Sequence, residues 1–141
     1  MIDEFKNEYS FLSNFYISPF IYNDIKVQTS EHLYQSFKTK NKFDKIEILN
    51  CITPGKSKRM GNKVLLREDW DDIKISVMKL CLTLKFKNDK LKKMLINTNK
   101  ELLVEGNYWH DNYWGNCKCE KCIGIDGQNI LGKLLMEERS K

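Results

Sequence analysis

Four polar residues in the first third of the chain are spaced as one face of a helix. They stand at positions i, i+3, i+4 and i+7, and they are Glu31, Tyr34, Gln35 and Lys38. Because successive helical residues turn by about 100°, their side chains would point the same way. A carboxylate and an amine two turns apart could line a polar pocket. The alternative, which spacing alone favours, is an exposed face with a weak charge pair, because polar helix faces usually contact water.

A second candidate is the aromatic segment over residues 108–115, Y-W-H-D-N-Y-W-G. Aromatic faces can stack on a nucleobase, and Asp111 could bond a ribose or act as an acid or base. The alternative, to which we give equal weight, is that Trp109 and Trp114 fill a hydrophobic gap. His110 taken alone is more often a surface or hydrogen-bonded residue than a catalyst.

Two further segments carry weaker signals. Asn14 lies between aromatic residues and could contact a base edge or a phosphate, although a turn-forming asparagine is the commoner explanation. Basic residues near two glycines could also meet a phosphate, and they are Lys56, Lys58, Arg59 and Lys63. The order of residues that defines a P-loop is absent from this stretch.

The cysteines form one cluster, C-x-C-x₂-C, at Cys117, Cys119 and Cys122. Three thiolates could bind zinc if a fourth ligand were supplied, for which His110 is a candidate. A strong zinc signature has two paired halves, whereas this chain has one. The spacing therefore favours a thiol-containing loop, and we expect neither a metal nor another cofactor. An odd total of five cysteines also argues against a disulfide framework.

Length and composition bound the class of protein. The chain has 141 residues, 41% of them hydrophobic, and a net charge of +5. This is enough apolar content for a buried core, and the charge suits an anionic ligand without indicating a DNA-binding groove. No apolar run could cross a membrane, and the N-terminus lacks a signal-peptide pattern. We expect one cytoplasmic domain over residues 1–141, with no membrane partner.

The elements that must position these residues begin with short strands. We expect strands over residues 11–16, 20–22 and 25–28, with a turn at Asn23-Asp24. Thr29-Ser30 offers an N-cap for the helix that carries the polar face, which should run to about Lys40.

Further helices are expected over residues 45–51, over 56–63, from 70 onwards and over 128–139. Another helix is expected after Asn88 or Asp89, either of which can cap it. In the helix after Asp69, the predicted core stripe is Trp70, Ile73, Val77, Leu80, Cys81 and Leu84. Residues 101–105 predict a buried strand, and residues 106–127 a long loop of the kind that is usually functional. The expected fold class is α+β, a mainly helical single domain with a few short N-terminal strands.

Together these segments resemble the NADAR family, also called YbiA-like. The matching stretches are F-L-S-N-F at 11–15, T-S-E-H-L-Y-Q-S-F-K at 29–38, R-M-G at 59–61, Trp70 with Met78, Lys85-Phe86, L-V-E at 103–105, Asp111 with Trp114-Gly115, and G-x-N-x-L-G-x-L-L-M at 127–136. They occur in the family's order and cover nearly the whole chain. The combination of S-E-H-x-Y-Q-x-x-K with D-x-x-W-G is specific.

The resemblance implies N-glycosidase chemistry at a ribosyl C1′–N bond. Some family members are associated with hydrolysing ribosylated intermediates of riboflavin synthesis. Others are associated with removing ADP-ribose from modified guanine, and the family is linked to NAD metabolism more broadly. We expect ADP-ribose on guanine, in a nucleotide or a nucleic acid, to be the substrate. The alternatives are a ribosylamino-pyrimidine phosphate, a module that binds ADP-ribose or NAD derivatives without turnover, and a zinc-dependent interaction domain.

The resemblance also assigns roles to residues. The catalytic residues would be Glu31, Lys38 and Asp111. The substrate-binding residues would be Asn14, Phe15, Tyr34, Gln35, Arg59, Gly61, Trp109, Trp114 and Gly115. A carboxylate would stabilise positive charge on the sugar or position water. Lys38 would either attack C1′ and form a Schiff base with the opened sugar, or stay charged and bind a phosphate or leaving group.

Overall fold

The computed structural model describes all 141 residues, in two compact units. One unit combines Met1–Ser13 with Phe86–Lys141, and the other is Asn14–Lys85. The chain has six α-helices, two short 3₁₀ helices and two small two-stranded sheets. The expected α+β fold class is therefore confirmed. No helix combines the length and the apolar character that a membrane crossing requires.

The unit Asn14–Lys85 begins with a hairpin and continues with helices. Strands β1 (Phe20–Tyr22) and β2 (Ile25–Val27) pair antiparallel, as predicted. Asn23 and Asp24, which join the two strands, both have positive φ, as a tight hairpin turn requires. The helices that follow are α1 (Ser30–Ser36), α2 (Lys42–Leu49), α3 (Pro54–Gly61) and α4 (Trp70–Lys85).

Side-chain caps fix where these helices begin. Thr29 Oγ1 accepts the backbone N–H of His32, so the predicted cap of α1 is confirmed. Helix α1 ends at Ser36 in a turn, earlier than the predicted Lys40. Helix α3 begins at Pro54, earlier than the predicted position 56. Proline is tolerated at the first helical position because its missing N–H would have no intrahelical partner there.

The inner face of α4 differs from the predicted stripe. Trp70, Val77 and Cys81 are buried, as expected. Three predicted core residues are only half-buried, namely Ile73, Leu80 and Leu84. The buried face includes instead Met78, Leu82 and Lys85. The buried face of α4 is thus rotated around the helix axis relative to the predicted stripe, and it includes a lysine.

The other unit contains fewer regular elements. Residues Asn7–Leu12 form a 3₁₀ helix, so the strand predicted over 11–16 is wrong. Helix α5 (Asp89–Ile96) is capped by Asn88, whose side chain accepts the N–H of Leu91, and α6 spans Ile130–Arg139. The strand predicted over 101–105 is reduced to one bridge between Ile2 and Leu103.

The predicted loop over 106–127 contains short ordered elements. Strands β3 (Gly106–Asn107) and β4 (Asn116–Cys117) pair in parallel, and Glu120–Cys122 forms a 3₁₀ turn. A Cβ added at Gly115 would lie 2.1 Å from the carbonyl oxygen of Glu105. Only glycine therefore allows the backbone to approach this closely at that position.

Candidate functional site

The polar face of α1 is buried. Glu31 is 7% exposed and Gln35 is 2% exposed, and every residue from Ser30 to Ser36 is classed as buried. The alternative of a solvated surface face is therefore wrong for Glu31, Tyr34 and Gln35. A buried carboxylate is costly unless it is paired and hydrogen-bonded, so its neighbours define the site.

Glu31 and Gln35 are joined one helical turn apart. The Gln35 Nε2 donates to Glu31 Oε2 over 2.5 Å. The other end of this amide, Oε1, is buried without a hydrogen-bond partner. It lies over Gly61, where an added Cβ would be only 2.0 Å away. Gly61 thus provides the space for Gln35, and Gln35 presents an unused acceptor beside the carboxylate.

Lys38 lies in the turn that ends α1 and is half-buried. Its Nζ donates to Asn62 Oδ1 over 3.3 Å and stands 5.9 Å from the centre of the Tyr34 ring. Burial lowers the pKa of Lys38 below 10.5, the charge of Glu31 opposes this effect, and the charge of Lys58 adds to it. Glu31 and Lys38 therefore act on each other electrostatically, as their spacing predicts.

Lys58 is a member of this site that the sequence did not single out. It was grouped with other basic residues on α3, of which only Arg59 entered the expected site. Lys58 and Arg59 are both exposed. The positive charge of Lys58 contributes to lowering the pKa of Lys38. The i, i+1 spacing places the two side chains about 100° apart on the helix, so one could face α1 when the other does not.

Asn14 fixes the beginning of α1. Its Oδ1 accepts from Ser30 Oγ over 2.9 Å, its Nδ2 donates to Met78 Sδ over 3.3 Å, and its carbonyl accepts the N–H of Glu31. Both ends of the side-chain amide are therefore engaged within the protein. The neighbouring Phe15 is 42% exposed.

His32 is wholly buried and makes two hydrogen bonds. Its Nε2 lies 2.8 Å from the carbonyl oxygen of Cys51, and its Nδ1 lies 2.8 Å from Thr29 Oγ1. A carbonyl only accepts, so Nε2 carries the proton and the Thr29 hydroxyl donates to Nδ1. Burial lowers the pKa of His32. This residue positions α1 as a neutral ring.

Lys85 is the second buried cation of this unit. It is 1% exposed, and burial lowers its pKa to about 7. Its Nζ lies 5.8 Å from the centre of the Tyr16 ring. The sequence contained a signal for this burial, because Lys85 is four residues after Cys81 and seven after Met78. The predicted stripe nevertheless ends at Leu84 and does not include Lys85.

In the other unit, Asp111 organises the aromatic loop. Its Oδ1 accepts the backbone N–H groups of Tyr113 and Trp114, at 3.0 and 2.9 Å. Its carbonyl accepts from Asn107 Nδ2 over 2.8 Å. Trp114 is half-buried and packs edge-on against Tyr113, whereas Trp109 is 59% exposed. Trp109 therefore does not fill a hydrophobic gap.

The same loop contains the residues that could hold a metal. The ligand atoms of His110, Cys117, Cys119 and Cys122 all lie within 4.8 Å of one another. The fold thus brings the predicted fourth ligand to the cysteine cluster. Outside the cluster, Cys81 is buried and Cys51 is partly buried.

Comparison with known proteins covers almost the whole chain. Residues 2–141 match the NADAR domain family. N-glycosidase YbiA of Escherichia coli is 33% identical over 138 residues, spanning 96% of this chain and 82% of that protein. An N-glycosidase of Nostoc punctiforme is also 33% identical, over 94% of this chain and 85% of that protein.

Two further comparisons add a structure and a plant protein. The NMR structure of E. coli YbiA matches with a TM-score of 0.82 and 32% identity, over 99% of this chain and 85% of that one. The chloroplastic riboflavin biosynthesis protein PYRR of Arabidopsis thaliana is 40% identical over 88 residues. These residues are 62% of this chain but 14% of the plant protein.

Proposed function

Since this chain belongs to the NADAR domain family, we propose that it is an N-glycosidase that hydrolyses the ribosyl C1′–N bond between ADP-ribose and guanine. Its relatives in E. coli and Nostoc punctiforme are named N-glycosidases, which supports a hydrolase of N-glycosyl bonds. The observation that carries the proposal is the buried Glu31 carboxylate, which shares one polar region with Lys38. We further propose that residues 1–141 work as one domain in the cytoplasm.

Glu31 is assigned the role of stabilising the positive charge that develops on the sugar. Cleavage of a ribosyl C–N bond builds positive charge near C1′, and a fixed carboxylate away from water stabilises such charge strongly. The hydrogen bond from Gln35 holds the carboxylate in one orientation. The free Gln35 Oε1 would accept a sugar hydroxyl or the attacking water. This pairing would remove the cost of an unsatisfied buried acceptor, about 1–3 kcal/mol.

Lys38 is assigned to C1′ as a nucleophile. Only a neutral amine attacks carbon, and the lowered pKa of Lys38 increases the neutral fraction at a given pH. Attack by Nζ would displace the base, and ring opening would leave a Schiff base that water hydrolyses. The other role is a charged amine that binds a phosphate or the leaving group. Treatment with borohydride distinguishes the two roles of Lys38, because it reduces a Schiff base to a stable adduct on this residue.

The remaining residues are assigned to substrate binding. Trp109 offers an exposed indole for stacking on the guanine, with Trp114 as a second aromatic surface. Arg59 is exposed on α3 and suits a phosphate. Asp111 holds the aromatic loop through Oδ1, and we keep it as the third catalytic residue, acting on the ribose through its other oxygen. Asn14, Phe15, Tyr34, Gly61 and Gly115 keep the substrate-binding roles that the resemblance implies.

The test uses one substrate and three variants. Protein incubated with DNA bearing ADP-ribosylated guanine should release ADP-ribose, measured by liquid chromatography and mass spectrometry. Glu31→Gln and Lys38→Ala should each lower the rate by at least about 100-fold, since a positioned catalytic group contributes typically 10²–10⁴. The control Lys26→Ala removes an exposed amine from β2 and should leave the rate unchanged. Full activity in both site variants would exclude this mechanism.

A second candidate substrate follows from the similarity to the plant riboflavin biosynthesis protein. In this alternative, the same residues would hydrolyse a ribosylamino-pyrimidine phosphate. Turnover of that compound without release of ADP-ribose from DNA would favour it. Tight binding of ADP-ribose without turnover of either substrate would instead indicate a binding module.

A further inference from the structure

We propose that His110, Cys117, Cys119 and Cys122 form a structural zinc site that fixes the aromatic loop. The proposal is independent of the substrate and of the roles of Glu31 and Lys38. It revises the expectation from sequence spacing, under which one cysteine cluster without a second half argued against a metal. The fold supplies the missing ligand from seven residues before the first cysteine.

The distances from the imidazole nitrogen to the three sulfurs fit a tetrahedral site. Zinc bonds to sulfur at about 2.3 Å and to imidazole nitrogen at about 2.0–2.1 Å, so a tetrahedral site separates sulfur from nitrogen by about 3.5 Å. The Nδ1 of His110 lies 3.3 Å from the Sγ of Cys119, 3.5 Å from that of Cys122 and 4.0 Å from that of Cys117. These distances bracket the expected value.

The backbone around the cluster fixes the positions of the proposed ligands. Cys117 Sγ accepts the backbone N–H of His110 at 3.3 Å and that of Cys119 at 3.5 Å. His110 has φ of 68°, a left-handed conformation that is uncommon for residues other than glycine. Such conformations persist where surrounding structure requires them, and here the conformation places the ring among the sulfurs.

The donor set selects the metal and its role. Three thiolates and an imidazole suit zinc rather than magnesium or calcium, which prefer oxygen. Four protein ligands complete a tetrahedral shell and leave no open position for water, as in structural rather than catalytic zinc sites. The ligands come from both sides of the segment 111–116. Zinc would therefore tie together the two ends of the segment that carries Asp111 and Trp114.

The first test measures the metal directly. The full chain, expressed in zinc-supplemented medium, should contain about one zinc per molecule by elemental mass spectrometry. After chelation, added Co²⁺ should give the thiolate charge-transfer and tetrahedral d–d bands. Cys119→Ser, at the most exposed cysteine of the cluster, should lose these bands and the zinc. The control Cys51→Ser changes a thiol outside the cluster and should keep both.

A second pair of variants separates coordination from misfolding. His110→Cys offers a fourth thiolate and should retain one zinc with a shifted Co²⁺ spectrum, whereas His110→Ala should bind zinc at least about tenfold more weakly. Chelation should also change the tryptophan fluorescence, because Trp109 and Trp114 lie in the loop. The proposal is overturned if Co²⁺ gives no thiolate bands in the wild type, if Cys119→Ser binds zinc as well as the wild type, or if the cysteines are isolated as a disulfide. None of these outcomes depends on glycosidase activity.

Discussion

Replacement of Lys85 by methionine should change how stability depends on pH. Lys85 is 1% exposed, and burial lowers its pKa from 10.5 to about 7. Between these two values the unfolded chain carries a proton on this amine that the folded chain does not. The stability contributed by Lys85 is therefore fully present above pH 10.5 and is lost as the pH falls to about 7.

The magnitude follows from the two pKa values. One pKa unit is equivalent to about 1.4 kcal/mol, so the complete effect is about 5 kcal/mol. Methionine has a similar length, is apolar and does not titrate in this range. Lys85→Met should therefore gain stability relative to the wild type as the pH falls towards 7, because only the wild type must release this proton or bury its charge. Its stability relative to the wild type should fall by about 2–3 kcal/mol between pH 7.5 and 9.5.

The assay is urea unfolding followed by circular dichroism at pH 7.5, 8.5 and 9.5. The free energy of unfolding is compared for the wild type, Lys85→Met and Lys79→Met, which changes an exposed lysine of the same helix. Other titrating groups are common to all three proteins and cancel in the differences. Parallel curves for the wild type and Lys85→Met would refute the argument, because they would mean that this amine keeps the same charge in both states.

Three further perturbations test the residues that support the site. Gly61→Ala places a Cβ 2.0 Å from Gln35 Oε1 and should lower the free energy of unfolding, measured in urea, by about 1–3 kcal/mol. The control Gly55→Ala, where the nearest atom lies 3.9 Å from the new Cβ, should change it little. Equal effects of the two substitutions would contradict this reasoning. Because the pKa of His32 is lowered in the folded protein, the stability that this residue contributes is present above pH 6.5 and is lost as the pH falls through its folded-state pKa. The midpoint of thermal unfolding should therefore fall less steeply with acidification in His32→Gln than in the wild type. Thr29→Ala should cost about 1–2 kcal/mol by loss of the cap, and Thr29→Ser should restore most of it; equal loss in both would mean that the hydroxyl is not the cap.

Local features of the fold could be predicted because they depend on neighbouring residues. Thr29 and Asn88 cap the helices that follow them because a side-chain oxygen reaches an N–H three residues later. The Asn23-Asp24 turn depends on two residues that tolerate positive φ. The shared face of Glu31, Tyr34 and Gln35 follows from helical geometry alone, because all three residues lie within α1. Each interaction spans at most two helical turns, so the sequence contains all of it.

Features that depend on distant contacts were predicted poorly. The strand expected over 11–16 is helical or irregular, and that over 101–105 is a single bridge, because strand formation depends on a partner that a local pattern does not identify. The periodicity of α4 identified a buried face, but its rotation depends on what packs against it. Lys85 lies in the core for that reason.

The sequence by itself determined which residues could do chemistry, and tertiary packing decided the environment of each one. Spacing aligned Glu31 with Lys38, but only the fold excluded water from the carboxylate and lowered the pKa of the amine. Spacing grouped three cysteines, but only the turn at His110 brought an imidazole within 3.3 Å of one of their sulfurs. Burial, charge and coordination are properties of groups that are close in space, and chain order fixes that closeness only over short distances.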